Sequence, residues 1–240
     1  MSDAYTVEDG AKAATRMIRN GVPQDEIRSL LATELSADGA NQALTFAKLR
    51  ETAASRFEDP WDLWFDEQGL RYATPDVVAR ARADRLSAFG DSVCDVACGV
   101  GIQLAFLGQV FEEAHGIELD PDRAQLAEKN VATLKAGAQV HVGDCLDPDM
   151  REEIGHADVV FCDPARDAQA DKRIFDDLSP DPRKVLETWT QGTQAWCLEL
   201  PPMMPPERVH EQIQGELVYT SLNGDLNRLA VYGGEAAEVE

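Results

Sequence analysis

Residues 93–101 read Val-Cys-Asp-Val-Ala-Cys-Gly-Val-Gly, a short apolar strand that delivers an acid, Asp95, and then turns at Gly99 and Gly101. Glycines are needed there because a backbone without Cβ can turn sharply and lets a ligand approach the chain. A dinucleotide fingerprint would place a third glycine at position 104, where Leu104 stands. Outward from this turn the pattern alternates. SVCDVA (92–97) is followed by a helical run, IQLAFLGQV, and EEAHGIEL by DPDRAQLAEKNVATLKAG; AQVHV, ADVVFC and QAWCLEL supply further strands. Strands separated by helices predict a parallel, doubly wound α/β sheet. The end differs: GELVYTSL and LNRLAVYGG flank Asn223-Gly224-Asp225, which reads as an antiparallel hairpin around a tight turn.

Upstream, Thr74-Pro75-Asp76 opens a helix, with Thr74 as its cap and Asp76 beside its positive end. Residues 5–55 carry apolar positions at helical spacing and few strand signals. The expected organisation is a helical N-terminal unit over 1–57, an α/β domain over 58–234 and an acidic tail over 235–240.

Composition narrows the partners. The 240 residues hold 44 Asp+Glu against 22 Lys+Arg, a net charge of −22. Such a field repels polyanions, so a nucleic-acid substrate must enter a local basic patch. An apolar fraction of 44% belongs to a folded chain, so the charge does not signal disorder. Acid excess with few lysines suits a halophilic protein, because the Debye length shrinks to about 3 Å at ~1 M salt and self-repulsion is screened. No targeting or membrane-spanning segment is read, which predicts a cytoplasmic protein without a membrane partner. Five cysteines without CxxC spacing and four scattered histidines predict neither a disulfide framework nor a metal site.

The remaining acids define a crevice. Glu118 ends the second strand, where a carboxylate can accept both ribose hydroxyls of an adenosine. Asp144 ends the third and would face the adenine amine. An acidic crevice without Lys or Arg suits the cationic sulfonium of S-adenosyl-L-methionine better than the pyrophosphate of NAD. In ADVVFCDPARD (157–167), Asp163 and Pro164 follow an apolar strand expected beside the first, at the topological switch point. The Asp163 carboxylate and Pro164 carbonyl can accept the two hydrogens of a planar exocyclic amine and orient its lone pair. Cys162, one residue earlier, points the opposite way by strand alternation and is no nucleophile for this site.

In their order and spacing DVACGVGIQ, GIELDPDRAQLAEKN, GDCL and FCDPAR resemble class I S-adenosylmethionine-dependent methyltransferases, with a Rossmann-like sheet. From RYATPD onward the chain resembles, more narrowly, the trimethylguanosine-synthase-related branch, which includes methyltransferases carrying a THUMP-like domain. The resemblance implies that Asp95, Cys98, Gly99 and Gly101 surround the methionine portion of the cofactor, Glu118 the ribose and Asp144 the adenine. It further implies that Asp163 and Pro164 hold the target nitrogen and that Thr74 lines the site. Two departures stand out. Cap-hypermethylating members carry S-P-P-W where this chain has Asp163-Pro164-Ala165-Arg166, which argues against a cap substrate, and Asp167 replaces the second Arg usual in THUMP-like members. Arg166, Lys172, Arg173, Arg183 and Lys184 form the basic cluster an RNA would need. The expected function is N-methylation of a guanine-type exocyclic amine in RNA. Methylation of a small molecule or protein side chain, and a non-catalytic binding subunit with this fold, are the alternatives.

Overall fold

A computed structural model describes residues 5–166 and 175–238. The chain forms two compact units, Met1–Asp76 and Val77–Glu240. The first is helical: α1 (Val7–Arg19), α2 (Gln24–Leu31), α3 (Ala37–Ala53) and α4 (Glu67–Tyr72). Thr6 and Asp9 start α1 with a reciprocal capping box, and Ser36 Oγ accepts from the Gly39 amide to start α3. Both helices bury small residues, among them Ala11 and Ala14 of α1 and Ala40, Ala43 and Ala47 of α3, which lets them pack closely. Arg50 is buried in this unit. Its Nε donates to the Leu63 carbonyl (2.7 Å) and its Nη1 to Thr15 Oγ1 (3.0 Å), while its guanidinium lies 4.3 Å from the centre of the Trp64 ring.

Helix α5 (Asp76–Leu86) leads into the second unit. There β1 (Ser92–Asp95), α6 (Ile102–Leu107), β2 (Glu113–Glu118), α7 (Pro121–Thr133), β3 (Ala138–Val142), α8 (Pro148–Ile154) and β4 (Val159–Cys162) follow in alternation. A two-residue pair, β5 (Ala165–Arg166) and β6 (Leu178–Ser179), precedes α9 (Pro182–Trp189), β7 (Ala195–Leu200), α10 (Pro206–His210), β8 (Glu216–Leu222) and β9 (Asp225–Gly234). The seven-stranded sheet runs β3-β2-β1-β4-β7-β9-β8. Its first five strands are parallel, and β9 inserts antiparallel between β7 and β8. The expected parallel sheet with a terminal hairpin is therefore present. The hairpin turns at Asn223 (φ 55°) and Gly224 (φ 91°), the two left-handed positions that a tight primed turn demands.

Strand order reverses between β1 and β4. Both strands carry apolar runs because the sheet is covered on two faces. Cys94, Val160, Cys162, Leu198, Leu200, Leu229 and Val231 share one core with Trp189 of α9 and Met204. Lateral partners and period-two alternation put Asp95, Phe161, Cys197 and Glu199 on the opposite face. The lower ends of β1 and β4 are tied by Asp158, whose Oδ2 accepts from the amides of Asp91 (3.0 Å) and Ser92 (3.1 Å) and from Ser92 Oγ (2.9 Å).

Candidate functional site

All five parallel strands end on one edge, and the order reversal between β1 and β4 opens a crevice there. Asp95 ends β1 at 1% exposure. Its Oδ1 accepts from the Ala97 amide (3.3 Å), whereas its Oδ2 is buried with no hydrogen-bond partner among the described residues. Burial, seconded by the nearby charges of Asp163 and Glu118, pushes this carboxyl up to about 8, despite the Ala97 amide and Arg82. An unpartnered carboxylate oxygen this deep needs a donor, and a ligand's ammonium or sulfonium end would supply the missing charge.

The turn after Asp95 is set by its two glycines in different ways. Gly99 (φ 58°) and Gly101 (φ 74°) both occupy the left-handed region. A Cβ on Gly101 would stand 2.8 Å from Ala127 of α7, so that glycine is needed for helix packing. A Cβ on Gly99 would meet nothing within 4 Å among the described residues, which leaves space above the turn where a ligand can approach the backbone. Beside them Cys98 is buried, its amide donating to the Ile117 carbonyl (2.9 Å), and burial pushes its thiol upward, away from thiolate chemistry.

Glu118 ends β2, nearly buried. Its Oε1 accepts from the Asp120 amide (2.9 Å) and lies 3.8 Å from Arg123 Nη1. Asp144 follows β3 in an exposed turn, its Oδ1 accepting from the Leu146 amide (2.9 Å), and the adjacent Gly143 amide donates to the Glu118 carbonyl (3.0 Å). Asp163 follows β4, half-buried, and Pro164 is buried. Burial raises the Asp163 carboxyl, opposed by Arg228 and Arg82. Asp95, Cys98, Gly99, Gly101, Glu118, Asp144, Asp163 and Pro164 thus occupy the strand ends of a single sheet edge. Thr74 is buried but belongs to the first unit, whereas these eight belong to the second.

The basic cluster is weaker than expected. Arg166 sits half-buried in β5, while Lys172, Arg173 and the Asp167 departure lie outside the described residues. Arg183 is committed to acids: its Nη2 lies 2.7 Å from Asp176 and 2.9 Å from Asp181. Among the described residues no group of three or more His, Cys, Asp or Glu could hold a metal ion, and no helix is long and apolar enough to cross a membrane.

Sequence reasoning missed the floor of the crevice. Glu199 of β7, 1% exposed, is bridged by two arginines: Arg82 Nη2 of α5 contacts its Oε1, and Arg228 Nε of β9 lies 2.8 Å from its Oε2. Arg82 Nη1 also donates to Gln103 Oε1 of α6 (2.5 Å), and its guanidinium lies 5.0 Å from the centre of the Phe161 ring. The β4–β7 register pairs Cys162 with Leu198, so Asp163 and Glu199 are the next residues on neighbouring strands. Burial pushes the Glu199 carboxyl up to about 7, with Asp163 reinforcing and the two arginines opposing that shift. The signal was available: one Glu within AWCLEL, a strand otherwise fit for the core, must have a buried cation.

The strand order, with acids at the ends of the strands that flank its switch point, defines a Rossmann-like α/β fold. Residues 94–173 match the methyltransferase domain family. Two relatives, from Mycobacterium tuberculosis strains CDC 1551 and H37Rv, are each described as an "uncharacterized S-adenosylmethionine-dependent methyltransferase". Both are 37% identical over 110 residues, which is 46% of this chain and 29% of theirs. The chain thus spans under a third of the length of these curated relatives. A crystal structure from Porphyromonas gingivalis W83, described as that of a "putative methyltransferase", shares the fold with a TM-score of 0.71 at 19% identity, over 85% of this chain and 52% of that one.

Proposed function

We propose that this chain is an S-adenosylmethionine-dependent N-methyltransferase acting on a guanine-type exocyclic amine in RNA. The observation that carries the proposal is the pairing of two strand ends across the switch point: Asp95, with a buried oxygen that has no partner and space over Gly99 among the described residues, and Asp163-Pro164 beside it. The domain match over 94–173 supports the reaction class. The FCDPAR segment, with its likeness to the trimethylguanosine-synthase-related branch, supports a planar amine target.

Asp95 Oδ2 would hold the amino-acid end of the cofactor, Glu118 the ribose hydroxyls and Asp144 the adenine amine. S-adenosylmethionine, when bound, supplies an electrophilic methyl group on a sulfonium. What the chain adds is positioning: Asp163 and the Pro164 carbonyl accept the N–H hydrogens of the target, so its lone pair points toward the cofactor side. No side chain need become a nucleophile, in keeping with the buried, neutral thiols of Cys98 and Cys162. Arg166, with Lys172 and Arg173 after it in the sequence, would guide the RNA.

Incubating the protein with RNA and isotopically labelled cofactor, over a range of salt concentrations because of the −22 charge, tests this reading by nucleoside mass spectrometry. One labelled methylguanosine, lost in Asp163→Ala, is expected. Labelled cofactor bound without any modified nucleoside would overturn the RNA substrate. The commitment of Arg183 to Asp176 and Asp181 favours a second reading, a small-molecule or protein amine, which that outcome would support.

A further inference from the structure

Among the described residues, the second unit sets more carboxylates than cations around the crevice. Asp95 from β1, Asp163 after β4 and Glu199 from β7 face Arg82 from α5 and Arg228 from β9. Arg85 of α5, 3.7 Å from the centre of the Tyr232 ring, is paired with Glu216 of β8 at 2.6 Å and adds no net charge. Glu118 of β2 has Arg123 of α7 at 3.8 Å, while Cys94 and Cys98 around β1, Cys197 of β7 and Tyr232 of β9 are all pushed upward by burial and stay neutral. Gln103 of α6 is neutral and holds Arg82 in place, its Nε2 donating to the Ala79 carbonyl (3.1 Å). Among the described residues two guanidiniums thus serve three carboxylates, and one carboxylate oxygen, Asp95 Oδ2, has no partner. A buried uncompensated charge is costly enough that the group takes up a proton instead.

We propose that Arg82, Glu199 and Arg228 are charge-setting positioning residues: with them the unliganded crevice retains one proton, which a ligand bringing one extra positive charge displaces to solvent and an uncharged analogue does not. This inference rests on the methyltransferase reading, because the sulfonium of S-adenosylmethionine carries that charge and the thioether of its demethylated product does not. The proton rests mainly on Asp95, whose Oδ2 has no partner among the described residues. Its consequence is a site that favours cofactor over product increasingly as pH rises, since above neutrality less proton must be displaced to admit the sulfonium.

Calorimetric titration of the wild-type protein at about pH 7, in phosphate and in Tris, gives the protons released from the difference in heat between buffers of unequal ionisation enthalpy. S-adenosylmethionine should release about one proton and S-adenosylhomocysteine far fewer, the difference being the charge of the sulfonium. Glu199→Gln leaves two carboxylates with two guanidiniums and should abolish that difference; a purely structural role for Glu199 would leave it unchanged. Equal proton release for the two ligands in the wild type overturns the proposal alone, and this comparison stands even if the variant fails to fold. Failure of both ligands to bind overturns the methyltransferase reading and this proposal with it.

Discussion

Replacing Asp95 with Asn removes the charge and keeps the shape, and its effect follows from where the proton goes. In the unfolded chain this carboxyl titrates at its ordinary value, 3.8, and in the folded protein at about 8. A group whose folded value is raised gives stability that is complete below the unfolded value and is lost as pH rises through the folded one. Between pH 5 and 8 the unfolded chain has released the proton while the folded protein keeps it, so stability falls by about 1.4 kcal/mol per pH unit. Over that interval the loss is about 4 kcal/mol for a side chain 1% exposed, with little solvent screening to reduce it. The D95N variant loses the Asp95 part of this dependence, while Glu199, pushed up to about 7 by burial, contributes equally to variant and wild type. Urea unfolding without ligand, followed by tryptophan fluorescence at several pH values, should show D95N gaining on the wild type as pH rises, by about 4 kcal/mol from pH 5 to 8. The same variant should bind S-adenosylmethionine poorly, the usual opposition of stability and function at a charged site. Parallel stability curves, or an equal penalty at both ends of the range, would refute the placement of an uncompensated carboxylate under the crevice.

Other outcomes follow from local geometry. Gly99→Ala should cost only the left-handed backbone penalty, about 1–2 kcal/mol, yet weaken cofactor binding measured by calorimetry, because its Cβ enters open space above the turn. Gly101→Ala carries the same penalty and also drives a methyl against Ala127, so its urea midpoint should fall further than that of G99A. Arg50→Met keeps the stem but loses the donors to Leu63 and Thr15 and the contact with Trp64, which should lower stability of the helical unit by about 2–3 kcal/mol in urea unfolding. Trp189→Phe leaves the Cys145 carbonyl, now accepting at 2.8 Å, without its buried donor, so thermal unfolding should shift by the equivalent of about 1–3 kcal/mol.

Local patterns carried much of this fold. The central strands β1, β4 and β7 were visible as short apolar runs, because strands covered on both faces need apolar side chains on both, whereas edge strand β3 is partly exposed and mixes Gln139 and His141 with Val140 and Val142. Asn223-Gly224 announced the hairpin, because its turn requires two left-handed residues in succession. The acids of the crevice were visible for a related reason: Asp95, Glu118, Asp144 and Asp163 each close a strand, and parallel strands end on one edge. The pair β5–β6 carried no such signal, since two residues per strand are too few to show a period.

The sequence by itself determined which acids end which strands, because chain order, strand period and turn chemistry are local properties. It could not show which cations answer them. Arg82, Glu199 and Arg228 come from a helix and two strands far apart in the chain, and only the register of β4 with β7 and of β7 with β9 sets them together under Asp163. The −22 of the whole chain says nothing of the crevice charge, because exposed acids are screened by water while buried ones must find a partner or a proton. That distinction is made by burial, and burial is decided by the tertiary structure.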